Sequence, residues 1–267
     1  MLPRSGAVLG VDIGWSLRQR SSAVCLLRWD GSSVHWRIAR FTAQDDDRRA
    51  TLAGVIGDTP LLAAAFDGPL RGDLSEIDVY RAAERLLSIR PLREAIGKLA
   101  QSNSGNGRLL NRATNACARD VIASGRVGVA RHAQAIHPLA IAEAFPNCFL
   151  GLMLGDPAPH KGGRGSRSDR YYTALVADGT LERLLHHHLP GRASAAAFAS
   201  VTNHDDRAAL VCALTALGVA GQDYCAAGDA EGWIILPPPA FIAPWAMPIL
   251  ADPDVRAAGG EMVLRGA

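Results

Sequence analysis

Apolar residues gather in short runs along the first part of the chain. AVLGVDIG, from Ala7, is almost continuously apolar until Gly14, which predicts a strand buried on both faces. SSAVCLLRW from Ser21 and SVHWRIARF from Ser33 predict a second and a third strand. The turn between them, Asp30–Gly31–Ser32, carries the Asp-Gly pair that favours hairpins. The chain therefore opens on three consecutive strands, read as an antiparallel meander. DRRATLAGVIG predicts a short helix closed by Gly57. PLLAAAFDGPL predicts a fourth buried strand, ending at Asp67 and halted by Gly68 and Pro69.

From about residue 71 to 137 the spacing becomes helical. SEIDVYRAAERLLSI, PLREAIGKLA and ATNACARDVIASG predict helices, with QSNSGNGRLLN as a polar, glycine-rich loop among them. This stretch reads as a mostly helical insertion. LAIAEAFPN from Leu139 predicts a fifth strand ending at Glu143 and Pro146. DPAPHKGGRGSRS predicts an exposed basic loop. SDRYYTALVADG predicts a helix with Ser168 at its N-cap and Gly179 just past its end. DDRAALVCALTALG predicts a strongly apolar helix ending at Gly218, EGWIILPPP a last edge strand, and residues 237–267 an irregular tail. The opening meander breaks the strand–helix alternation of a Rossmann domain. It is the element order of an RNase H-like fold. The expectation is one α/β domain over residues 1–267, with a mixed five-stranded sheet, the antiparallel meander first and helices on both faces.

Composition adds bounds. A chain of 267 residues, 48% hydrophobic and 20% charged, can bury a sizeable core. A net charge of +2 neither demands nor excludes a nucleic-acid partner. Cys25, Cys117, Cys148, Cys212 and Cys225 show no CxxC or zinc-knuckle spacing and read as reduced, small apolar residues of a cytoplasmic protein. The opening segment carries Asp12 within its apolar run, unlike a secretory signal, and no run is long enough to span a membrane.

The chemistry suggested by the pattern is carboxylate chemistry. Asp12, Asp67 and Glu143 each stand where a predicted strand stops. In an open α/β sheet, ligands collect at the carboxyl ends of strands. If the first, fourth and fifth strands are parallel neighbours, the three acids open into one crevice. Clustered carboxylates raise each other's pKa, and a divalent cation such as Mg²⁺ or Mn²⁺ relieves that repulsion through hard oxygen ligands. Two such ions roughly 4 Å apart can activate water and stabilise the leaving oxygen of a phosphodiester. Alternatively, each acid alone can cap a turn, as Asp67 before Gly-Pro would. Asp205 and Asp206 open the apolar helix, where acids also complete a capping pattern with Thr202 or Asn203. The two roles are compatible.

Other features have an ordinary reading beside the functional one. Lys161, Arg164, Arg167 and Arg170 could track a phosphate backbone or form a solvated loop. SNSGNGR could form an anion nest but matches no phosphate-loop pattern. His186, His187 and His188 point different ways around a helix and read as an exposed helix end. His204, beside the Asp pair, is a candidate proton shuttle or a surface histidine. No nucleophile elbow is present.

GVDIGWS, AFDGPL, AEAFPN, SDRYYTAL and NHDDRAALVCALTA resemble, in that order, the blocks of a bacterial family catalogued as domain of unknown function 429. The resemblance covers roughly residues 7 to 236, and the family is described as predicted nucleases with an RNase H-like fold. More distantly, the layout is similar to Holliday-junction resolvases of the RuvC type. These resemblances imply Asp12 as the first-strand ligand, Asp67 as the fourth-strand ligand and Asp205 as the first acid of a D-x-x-D pattern. The second acid falls on Ala208, leaving Glu143 or Asp206 to compensate.

The leading expectation is a metal-dependent nuclease, with Asp12, Asp67, Glu143 and Asp205 catalytic. Asp12, Asp67, Asp205 and Asp206 would bind Mg²⁺ or Mn²⁺, and Lys161 and Arg170 would hold phosphate. Its partner would be DNA or RNA, with no membrane and a homodimer allowed. The rivals are a catalytically weak or inactive binding protein, favoured by Ala208, and a phosphotransferase of the sugar-kinase and actin type, whose first phosphate loop GVDIGWS resembles.

Overall fold

The structure, a computed structural model, describes residues 2–97, 101–131, 137–163, 165–252 and 260–265. β1 (Gly6–Asp12), β2 (Ser22–Trp29) and β3 (Ser33–Phe41) pair antiparallel in chain order, as the meander requires. Asp30 shapes the hairpin: its Oδ1 accepts from the backbone N–H of Ser32 and of Ser33, each at 2.8 Å. α1 (Asp45–Ile56) follows and stops at Gly57, whose φ of 53° is open to glycine. β4 (Ala64–Asp67) lies parallel to β1, and β5 (Ile141–Ala144) lies parallel to β4. Between these two strands run α2 (Ala82–Leu87), α3 (Arg90–Ile96) and α4 (Gly105–Ala123), the expected helical insertion.

After β5 come α5 (Pro146–Met153), α6 (Arg167–Ala177), α7 (Thr180–His188), the short β6 (Ala193–Ser194) and α8 (His204–Gly221). β7 (Tyr224–Asp229), β8 (Gly232–Leu236), α9 (Met247–Ala251) and β9 (Glu261–Arg265) complete the described chain. The strands form one mixed sheet in the order β6-β3-β2-β1-β4-β5-β8-β7-β9.

The sheet therefore holds nine strands among the described residues, not five. β8 is not an edge strand: it pairs parallel with β5 and antiparallel with β7. The tail is not irregular throughout, because Glu261–Arg265 pairs with β7. These strands escape a periodicity reading because YCAAGD is short and built of small residues, and β9 borrows its order from its neighbour.

Several helix ends differ as well. QSNSGNGRLLN is a loop only at its start; Ser104 caps α4 by accepting from Gly107 N–H at 3.1 Å. Ser75 to Arg81 stay outside α2. Ser166, not Ser168, stands at the N-cap of α6. α8 runs past Gly218 to Gly221 and ends on Gln222 at φ 58°.

α8 is buried almost all round because β1, β2 and β4 lie under it and α5, α6 and α7 pack against it. One residue makes the closest approach possible. A Cβ on Gly10 would stand 2.0 Å from Ala213 N and 2.2 Å from the Ala209 carbonyl oxygen, so helix backbone rests on strand backbone. Ile13, of opposite parity on the same strand, lines a cavity of about 220 Å³ with Arg48 of α1 and Cys117 of α4. Helices thus cover both faces. The buried Arg48 joins α1 to α4 through Asp120 at 2.7 Å. All five cysteines are buried and free. No helix among the described residues is long and apolar enough to cross a membrane.

Candidate carboxylate site

Asp12 and Asp67 are the last residues of β1 and β4, and parallel pairing places them directly opposite each other. By strand alternation Asp12 shares the face of Gly10, the face on which α8 rests. The first turn of α8 therefore arrives above the two strand ends with Asp205 and Asp206. Asn203 starts that helix; its Oδ1 accepts from Asp205 N–H at 2.9 Å and from Asp206 N–H at 3.3 Å. Asn203 rather than Thr202 is the cap, and the turn it caps carries Asp205 and Asp206.

The electrostatics follow from this crowding. Burial raises the Asp12 carboxyl well above the usual carboxylate range, reinforced by the charges of Asp67, Asp205 and Asp206. Burial and the Glu143 charge push Asp67 up to about 7, against the opposing pull of His204. The Asp12 and Asp67 carboxyls lie within hydrogen-bonding reach of each other. Burial also raises Asp206, against the pull of Arg40, which stands 3.7 Å away. Asp206 Oδ1 is buried without a hydrogen bond, an uncommon state for a carboxylate oxygen.

Glu143 does not share this state. It sits one register position from Asp67, opposite Phe66, but both its oxygens are taken. Arg81 donates to Oε2 at 2.7 Å and to Oε1 at 2.8 Å, and Leu70 N–H donates to Oε2 at 2.8 Å. Arg81 also binds Glu84 at 3.0 Å. The fork-shaped guanidinium turns Glu143 into one half of a buried ion pair. β5 runs on to Ala144, so Glu143 stands one position short of the strand end and on the other face from Asp67, and its partner, 62 residues away, is not foreseeable from spacing.

The basic loop divides in the same way. Arg170 donates to the carbonyls of His160 at 3.0 Å and Gly165 at 2.8 Å, so it organises the loop. Lys161 is exposed, and Arg164 lies outside the described residues. The helix that carries Arg170 reaches the acid cluster through Asp169, a residue that spacing did not single out. Asp169 Oδ1 stands 3.2 Å from His204 Nδ1 and 3.2 Å from Arg207. His204 is thus oriented by a carboxylate. A signal was available in the short SDR and HDDR segments, but nothing in the sequence says that they meet.

The SNSGNGR stretch is spent on capping α4. The histidine run is not a plain exposed helix end: His188 is buried, and His187 Nε2 lies 2.6 Å from Asp223 Oδ2. Among the described residues, these three bring metal-ligating atoms within 4.8 Å of one another; no three of Asp12, Asp67, Glu143, Asp205 and Asp206 do. Comparison of the chain with protein-family models, with curated proteins and with solved structures returned no match.

Proposed function

We propose that the chain is a divalent-metal-dependent phosphodiesterase acting on nucleic acid, built on an RNase H-like core. The observation that carries this reading is the opposition of Asp12 and Asp67 at adjacent parallel strand ends, with the acidic first turn of α8 above them. The run β3-β2-β1-β4-β5 inside the sheet, with β1 to β3 antiparallel and β4 and β5 parallel, supports the fold assignment.

The donor chemistry fits a hard cation, although the carboxylates would have to close in on one another to share it. All the donors are carboxylate oxygens, one of them buried without a hydrogen bond, and among the described residues no guanidinium pairs closely with Asp12 or Asp67 as Arg81 does with Glu143. Asp12, Asp67 and Asp205 would hold the ion, with Asp206 beside them. A bound divalent ion supplies Lewis-acid polarisation of water and of a phosphoryl oxygen. The chain's own part is to hold these acids on rigid strand ends and to keep His204, oriented by Asp169, ready to take or give a proton at its other ring nitrogen. Glu143 keeps β4 and β5 in place through Arg81. Lys161, on the loop tied down by Arg170, meets phosphate charge.

Ala208 favours one rival, a binding protein that kept the fold: it is buried on α8 where a second helix acid would stand. The phosphotransferase is disfavoured, because the Gly14 N–H that a phosphate loop would present donates to Ser22 Oγ at 2.9 Å.

The test is calorimetric titration of Mn²⁺ into the chelator-stripped chain, beside Asp12→Ala and Asp67→Ala, followed by cleavage assays on labelled single strands, duplexes and junctions. Binding of one or two ions, lost in both variants, together with Mn²⁺-dependent cleavage supports the proposal. Absence of binding both alone and with a short duplex sinks it. Nucleic-acid binding without cleavage would select the inactive rival.

A further inference from the structure

We propose that His187, His188 and Asp223 form a site for a single Zn²⁺-class ion, independent of the carboxylate pair at β1 and β4. A ring nitrogen of each histidine and a carboxylate oxygen of Asp223 lie within 4.8 Å of one another. Adjacent residues on a helix diverge, so two consecutive histidines need a bend in the chain or a third group to converge on one point. Asp223 supplies that third group, and the chain bends immediately after the pair. α7 ends at His188, and Leu189 leaves the helix at φ −129°, ψ 62°. Asp223 is delivered by the end of α8. Gln222 turns left-handed, its N–H donates to the Val219 carbonyl at 3.1 Å, and Asp223 N–H donates to the Gly218 carbonyl at 3.0 Å. This closed turn fixes the Asp223 backbone.

A second observation points to a ligand. His188 is buried, and its Nε2 has no hydrogen-bond partner, a rare state for a buried ring nitrogen. α8 leaves room beside that ring with two glycines: a Cβ on Gly218 would stand 3.8 Å from Nε2, and one on Gly221 would stand 3.8 Å from Nδ1. Any longer side chain at either position would crowd the imidazole. His187 is held by Phe241, edge to face at 5.3 Å between ring centres.

Two imidazoles and one carboxylate suit Zn²⁺ better than Mg²⁺ or Ca²⁺, which prefer all-oxygen sets. Bonds of about 2.0–2.1 Å place tetrahedral ligands about 3.3 Å apart. Seating the ion therefore parts His187 from Asp223, now 2.6 Å away, and draws in His188, whose ligand atom lies within 4.8 Å of both, by side-chain adjustment. Three protein ligands leave a fourth position for water. Solvent has access, since the part-exposed His187 lines a groove of about 620 Å³ with Arg183, Arg192 and Phe241. The bound ion clamps the end of α7 to the α8–β7 turn.

Co²⁺, whose visible bands report four-coordinate nitrogen and oxygen ligation, is the probe. It is titrated into the chelator-stripped full chain and then displaced with Zn²⁺. The expected result is one equivalent contributing to that four-coordinate band, oxygen-only binding at the carboxylate pair adding no comparable band, with affinity reduced more than about ten-fold in His187→Gln and in Asp223→Asn. The proposal is overturned if the wild type gives no saturable band. It is equally overturned if natively folded His187→Gln and Asp223→Asn give the band as readily as wild type. Should circular dichroism show either variant misfolded, imidazole ¹⁵N shifts of the wild type on adding Zn²⁺ decide. Movement of His187 and His188 supports the site, and their silence rejects it.

Discussion

At the residue scale, Asp12 and Asp67 face each other in register, whereas Glu84 and Glu143 are bridged by Arg81. Asp12 and Asp67 are both pushed above the ordinary carboxylate range, chiefly by burial. The unfolded chain releases these protons near pH 4, while the folded chain retains them up to about pH 7, the value to which Asp67 is pushed. Between those limits the folded state binds more protons, so its stability falls as pH rises. Thermal melts in chelator should therefore show a falling Tm from about pH 4 to pH 7, and Asp67→Asn should flatten that slope. An unchanged slope would mean that the pair does not hold its protons. Glu143 adds to the push on Asp67, and burial raises its own carboxyl against the opposing pull of Arg81.

At the element scale, the buried Arg81 carries the junction of α2, β4 and β5 through Glu84, Glu143 and the Leu70 carbonyl. Arg81→Ala would leave two buried carboxylates without their cation, and a loss of about 3–5 kcal/mol is expected in urea unfolding. Mn²⁺ affinity of the surviving folded fraction should change little, because Asp12 and Asp67 are not ligands of Arg81. A large loss of Mn²⁺ binding at native stability would instead place Glu143 among the metal ligands. The boundaries of β1 to β4 were legible because long apolar runs bounded by Gly, Pro and Asp admit few alternatives. The ends of α4, α6 and α8 were less so. Ser104 and Ser166 compete with nearby serines that could cap equally well, and packing decides which one does.

At the scale of the whole molecule, β9 closes the sheet beyond β7, whose Cys225, Ala226 and Ala227 are fully buried. A chain ended after Asp252 would expose β7 as an apolar edge. Light scattering should then show association at concentrations where the full chain is dispersed; monodispersity would mean that the edge is protected otherwise. The meander, the helical insertion and the strand-end acids follow from the sequence alone, because alternation, turn chemistry and burial cost act over a few residues. Only the tertiary structure decided that Asp12 faces Asp67 while Glu143 faces Arg81, that Asp169 orients His204, and that Asp223 meets the histidine run. Each of those pairings joins residues at least 35 positions apart, and local periodicity carries no information about which distant groups the packed sheet and α8 bring together.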